Sequence, residues 1–182
     1  QMVQEAMSRI GLPCVGWLPK DAGLKMPDRH LGLVPVEERP ETQAQIERAA
    51  GLLHLDMEAL ETVARRANAV AAPQAAFPNS LTGMRIGLAK DAAFSFTYAV
   101  NLIALKAMGA EIAEFSPLQD DGLPEGINAL YLPGGFPEMF ESQLTGNHRM
   151  AASVRTAIEG GLRCYAECGG MLYLSMIGAI PL

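Results

Sequence analysis

Leu162-Arg-Cys-Tyr-Ala-Glu-Cys-Gly-Gly-Met-Leu-Tyr-Leu174 decides the fold. Leu162, Cys164 and Ala166 alternate with Arg163, Tyr165 and Glu167, which predicts a short strand, and Met171 to Ser175 follows as the start of a helix. Cys168 falls at the turn between them. A strand-to-helix elbow holds a nucleophile in a strained, exposed conformation and needs small neighbours where the backbone reverses. Ala166 and Gly170, two residues either side of Cys168, meet that need. The unpaired N–H groups and dipole at a helix N-terminus stabilise an anion, so Cys168 is expected to be partly thiolate and to act as a nucleophile. The N–H of Gly169 is then expected to point at the oxyanion formed on an attacked carbonyl. The other reading of Cys168 is a small buried hydrophobe, the common fate of a free cysteine. Against it stands the Gly-Gly that follows, which is costly at a helix start without a reason for it. Cys164, within the strand, reads as core, and a Cys-x-x-x-Cys metal site without nearby histidines is not expected, so no metal ligands are assigned.

Upstream, strands and helices alternate. Met84 to Ala89 reads as a strand, Thr97 to Met108 as a helix closed by Gly109, and Glu111 to Phe115 as a strand. Ile127 to Leu132 is the next strand, His148 to Glu159 a helix, and the elbow strand follows. Such alternation predicts an α/β fold whose parallel sheet is covered by helices on both faces, with its site at the carboxyl ends of the strands. Three segments therefore form candidate walls: Lys90 to Phe96, Pro133-Gly134-Gly135-Phe136-Pro137-Glu138, and Cys168. Gly134 and Gly135 let backbone approach a ligand closely. One of their N–H groups is the expected second oxyanion donor; we assign it to Gly135 and leave Gly134 to substrate contact. A tight structural turn explains the glycine pair equally well when it is taken alone.

Ala69 to Gly83 shifts to alanine, proline and small polar residues and reads as a linker between residues 1–68 and 84–182. In the first part, Val3, Ala6, Met7 and Ile10 make a helical stripe stopped by Gly11. Leu12 to Leu18, bounded by Pro13 and Pro19, is expected as a buried parallel strand. Glu41 to Leu53 and Met57 to Asn68 read as helices, the second capped by Asp56 with Leu60, Val63, Ala64 and Ala67 on one face. Trp17 reads as packing, and His54 in the joint between the helices has no assigned role. The proline-bounded stretch 26–35 carries Asp28, Arg29 and His30. His30 reads as a hydrogen-bonded structural residue, and Arg29 as the contact for acidic groups of a substrate.

The 182 residues are 49% apolar, enough for a core, and no apolar run is long enough to span a bilayer. A net charge of −6 without a lysine and arginine stripe argues against nucleic acid. Three scattered cysteines make no disulfide framework, which suits a reducing cytoplasm. No membrane contact is expected. The chain starts in helical pattern and stops shortly after the elbow, so a fragment of a longer protein is expected.

Leu-Pro-Gly-Gly-Phe-Pro-Glu at 132–138 and Tyr-Ala-Glu-Cys-Gly-Gly at 165–170 together resemble the glutaminase domain of the cobyrinic acid a,c-diamide synthase family. Ala-Lys-Asp-Ala-Ala-Phe-Ser-Phe at 89–96, Glu-Phe-Ser-Pro-Leu at 114–118 and Arg-His-Leu-Gly-Leu at 29–33 are similar to it as well, the last to the end of its synthetase domain. The resemblance implies a flavodoxin-like class I glutaminase domain preceded by the tail of a P-loop-type α/β synthetase domain. It implies that Cys168 attacks the side-chain amide of glutamine to form a glutamyl thioester. The ammonia would then pass to a synthetase that uses ATP and Mg2+ to amidate the a and c carboxylates of a corrinoid in the cobalamin pathway. A homodimer stays open. The sequence departs from the family pattern in having no Gly-x-x-x-x-Gly-Lys-Ser/Thr loop and no histidine after His148. With no base to activate Cys168, little or no turnover is expected of this chain alone. Three alternatives remain: an amidotransferase of the same type acting on cobyric acid precursors or a nickel tetrapyrrole, a cysteine-elbow protein without ammonia transfer, and a non-catalytic interaction fragment.

Overall fold

A computed structural model describes residues 2–25, 39–69 and 77–180. The chain divides into two compact units, Gln1–Gln74 and Ala75–Leu182.

The first unit contains α1 (Met2–Arg9), β1 (Gly16–Trp17), α2 (Thr42–Leu52), β2 (His54–Leu55) and α3 (Met57–Arg65). Asp56 caps α3 as its sequence position predicts, its carboxylate accepting from the Ala59 N–H at 2.9 Å. Asp21 ties a short 3-10 turn, Ala22–Leu24, to α2: it accepts from the Gly23 N–H at 2.8 Å and from Arg48 at 2.6 and 2.8 Å. The Arg48 guanidinium holds the Asp21 carboxyl below the usual carboxylate range. The buried parallel strand expected over Leu12 to Leu18 is not what forms. Only Gly16 and Trp17 pair, antiparallel to His54 and Leu55, and Trp17 and Leu18 stay exposed. Among the described residues this two-residue ribbon has no further strand on which to bury the apolar run. Trp17 instead stacks on His54, with ring centroids 4.1 Å apart and planes 10° from parallel. None of the residues of α1, α2 or α3 is buried. Arg29 and His30 lie outside the described residues.

The second unit holds β3 (Arg85–Ala89), α4 (Ala99–Ala107), β4 (Glu111–Phe115), β5 (Ala129–Leu132), α5 (Glu141–Gly146), α6 (His148–Glu159), β6 (Arg163–Ala166) and α7 (Gly169–Met176). The strands are parallel in the order β4-β3-β5-β6. On one face Ala89, Leu130 and Leu132 pack with Leu144 of α5, Met150 and Val154 of α6, and Tyr173 and Leu174 of α7. On the other, Ile86, Leu88 and Tyr131 pack with Leu102 and Leu105 of α4. The result is the expected flavodoxin-like arrangement, a parallel sheet with helices on both faces. Gly109, at φ +95°, ends the turn after α4 and lets β4 start two residues later. Asn147 sets the start of α6: its side chain accepts from the Met150 N–H at 3.3 Å and donates to the carbonyls of Pro117 and Asp120 at 3.0 and 2.9 Å. Among the described residues no helix is long and apolar enough to cross a membrane.

Tyr173 is fully buried, edge-on to Phe94 at 5.4 Å, and among the described residues its hydroxyl has no hydrogen-bond partner. Burial, and after it the charge of Asp91, push its pKa up to about 12. An unfolded tyrosine ionises near about 10. The folded value lies above the unfolded one, so burial of the neutral phenol stabilises the fold fully below the unfolded pKa, and that contribution is lost as pH rises through the folded one. Tyr173→Phe is therefore expected to flatten the alkaline fall in melting temperature while changing neutral-pH stability by no more than about 1 kcal/mol. Thermal unfolding followed by circular dichroism across alkaline pH checks both.

Candidate active site at the strand ends

After β3 the chain turns over Lys90 to Phe96. The Asp91 carboxylate fixes this turn by accepting from the Ala93 N–H at 2.9 Å, the Ser116 hydroxyl at 2.8 Å and the Leu118 N–H at 3.0 Å. The loop after β3 is thereby joined to the loop after β4. Its far end reaches the loop after β5: the Phe96 N–H donates to the Gly134 carbonyl at 3.1 Å, and the Phe96 and Phe136 rings meet edge-on at 5.1 Å. Gly135 sits where a Cβ would run into the Ala93 carbonyl oxygen and lie 2.8 Å from its carbon. Only glycine fits there.

At the end of β6, Cys168 has φ +48° and ψ −115°. Among the described residues it is the sole non-glycine with positive φ. The turn closes through the Gly170 N–H donating to the Glu167 carbonyl at 2.8 Å, and α7 begins with the Met171 and Leu172 N–H groups on the Cys168 carbonyl at 3.1 and 3.2 Å. The two glycines that follow are required by packing. A Cβ on Gly169 would lie 2.7 Å from Pro137 Cδ, 2.8 Å from the Gly135 oxygen and 3.0 Å from the Gly135 nitrogen. One on Gly170 would meet the Leu132 carbonyl, with 2.7 Å to its carbon. A Cβ on Gly134 would sit 3.6 Å from Cys168 Cβ.

The structure thus brings Cys168, Gly169, Gly134 and Gly135 together and leaves the Cys168 side chain exposed. An exposed thiol on a strained elbow, walled by glycine backbone from the neighbouring strand end, suits attack on a carbonyl carbon. Cys164 differs: it is half-buried, and burial pushes its pKa up to about 11, so it stays a neutral thiol at pH 7. Cys14 lies in the first unit. His148 opens α6, and His54 belongs to the first unit. One feature escapes sequence reading altogether: the Glu167 carboxylate accepts from the Tyr131 hydroxyl at 2.7 Å and from the Tyr165 hydroxyl at 3.3 Å. The signal lies in strand register, since Tyr131 and Tyr165 are direct partners between β5 and β6. No group of three or more His, Cys, Asp or Glu side chains able to hold a metal occurs among the described residues. The sequence carries no phosphate-binding Gly-x-x-x-x-Gly-Lys-Ser/Thr loop.

The description "CobB/CobQ-like glutamine amidotransferase domain" matches residues 85–177, just over half of the chain and all four strands around this thiol. The chain belongs to this glutamine amidotransferase family. Curated relatives of the chain include a cobyrinate a,c-diamide synthase from Synechococcus sp., 41% identical over 179 residues, covering 96% of this chain and 39% of that protein. A hydrogenobyrinate a,c-diamide synthase from Pseudomonas aeruginosa is 45% identical over 166 residues, covering 90% of this chain and 37% of that protein. One of the same name from Brucella ovis is 35% identical over 195 residues, covering all of this chain and 45% of that protein. The chain therefore spans less than half the length of these relatives. No solved structure matches it.

Proposed function

We propose that this chain is part of a glutamine-hydrolysing amide ligase that amidates the a and c carboxylates of cobyrinic or hydrogenobyrinic acid in cobalamin biosynthesis. Residues 84–182 supply the first part of the glutaminase domain, residues 1–68 the end of the ATP-dependent synthetase domain, and residues 69–83 the linker. ATP and Mg2+ activate the carboxylates through the synthetase domain. Arg29 contacts the acidic corrinoid.

The Cys168 thiolate attacks the side-chain amide carbon of glutamine. The oxyanion that forms faces the N–H groups of Gly169 and Gly135, while Gly134 contacts the substrate. Collapse of the intermediate breaks the carbon–nitrogen bond, and the nitrogen takes up a proton and leaves as ammonia. Water then cleaves the thioester, releasing glutamate and regenerating the thiol. The observation that carries this reading is the exposed Cys168 at φ +48° against the Gly134-Gly135 wall. Names such as cobyrinate and hydrogenobyrinate a,c-diamide synthase among the relatives support the substrate class.

The test is incubation with an electrophilic glutamine analogue, a diazo-ketone, followed by peptide mass mapping. An adduct on Cys168 that excess glutamine suppresses, with Cys14 and Cys164 unmodified, is the expected result. Labelling of Cys14 and Cys168 alike, indifferent to glutamine, would overturn the reading.

A further inference from the structure

Glu167 is bonded on every side. Its N–H donates to the Leu132 carbonyl at 3.1 Å, and its own carbonyl accepts from the Gly170 N–H at 2.8 Å. Its carboxylate takes the Tyr131 hydroxyl on Oε1 at 2.7 Å and the Tyr165 hydroxyl on Oε2 at 3.3 Å. Asn101 of α4 donates to the Tyr131 oxygen at 3.5 Å. The two rings, register partners on β5 and β6, meet edge-on at 5.4 Å. A carboxylate accepts only, and two phenols can donate to it, so the three side chains match without a leftover donor. Burial raises the Tyr131 pKa, and the charge of Glu167 raises that of Tyr165, so both phenols keep their protons at neutral pH.

The geometry points to Glu167 as a positioning residue for the nucleophile, with Tyr131 and Tyr165 as the clamp that fixes it. The φ angle of Cys168 is rotation about the bond that follows the Glu167–Cys168 peptide plane. Holding Glu167 at its N–H, its carbonyl and both carboxylate oxygens fixes the plane on one side of that bond, the Met171 and Leu172 N–H groups on the Cys168 carbonyl hold the other, and the left-handed conformation that presents the thiol is set between them. Without the clamp, Cys168 is free to relax towards negative φ, since L-residues avoid the positive region. This role concerns neither glutamine binding nor the oxyanion, and it rests on the glutaminase reading only through the probe used to measure it.

The measurement is the inactivation kinetics of Cys168 with the diazo-ketone glutamine analogue, separated into the limiting rate and the half-saturating concentration, on wild type and on Tyr131→Phe, Tyr165→Phe and Glu167→Gln. The clamp predicts a limiting rate lower by about tenfold in Tyr131→Phe, where a charge-assisted hydrogen bond is lost. Tyr165→Phe, which loses the longer bond, should fall by about threefold. Glu167→Gln keeps one acceptor oxygen and should lie between them, with the half-saturating concentration unchanged throughout. The Tyr165 ring is exposed, so its variant keeps the test open if removing the buried Tyr131 hydroxyl unfolds the unit. Unchanged limiting rates, or a loss confined to the half-saturating concentration, would overturn the proposal. A wild type that the analogue does not label sinks the glutaminase reading instead. The clamp is then decided by the ratio of Cys168 to Cys14 alkylation by iodoacetamide: a shift of about threefold in the tyrosine variants supports it, and equal ratios overturn it.

Discussion

A Cys168→Gly variant is expected to unfold at a higher temperature than wild type while losing all covalent reaction with the glutamine analogue. Cysteine at φ +48° is strained, and a non-glycine residue in that region costs about 1–3 kcal/mol. Glycine removes the strain but adds freedom to the unfolded chain, a loss of about 0.4–1 kcal/mol. The net gain is about 1 kcal/mol, or about 4 °C in melting temperature for a unit of this size. Reaction should fall by more than about 10³-fold because the only atom able to form the thioester is gone. Cys168→Ala separates the two effects: equally dead, it keeps a Cβ and therefore the strain, and should melt close to wild type. If the glycine and alanine variants melt together, the backbone is not strained and the elbow stores nothing.

Gly135→Ala carries the largest expected loss of stability. Its Cβ would run into the Ala93 carbonyl and lie 3.0 Å from Phe94 Cα, all backbone on a turn that Asp91 holds with three bonds. Neither side can rotate away. A cost of about 3 kcal/mol is expected, together with loss of the Cys168 adduct, since the same backbone borders Gly169. Denaturant unfolding gives the first quantity and mass mapping the second. Gly146→Ala, whose Cβ would meet nothing within 4 Å, serves as the control and should be close to neutral.

The sheet was legible where the sequence is punctuated. Glu111–Phe115 and His148–Glu159 form as expected to the residue, since Gly109 and Gly160 close the helices on either side of a strong apolar pattern. Boundaries without such marks moved: α4 starts at Ala99 rather than Thr97, and β5 at Ala129 rather than Ile127. The run Leu12 to Leu18 misled because apolar composition cannot say whether a third strand is at hand to pair with it. The elbow could be read from Cys-Gly-Gly, but the reason for each glycine could not. Gly170 answers to Leu132 and Gly135 to Ala93, contacts across 38 and 42 positions that only the packed strand ends create. Glu167 was invisible for the same reason, since its partners depend on how β5 and β6 align. The described residues do not include Arg29, so its role stands on the sequence alone.

Asp91 starts a continuous line of contacts across the strand ends. Its carboxylate joins Ser116, just past the outermost strand, to Ala93; Ala93 abuts Gly135; Gly135 abuts Gly169, the neighbour of the thiol. Each link is a hydrogen bond or a backbone approach that leaves no room for a Cβ. The β4 exit, with two strands lying between it and β6, is thus joined by direct contacts to the backbone beside Cys168, through residues that a substrate never meets.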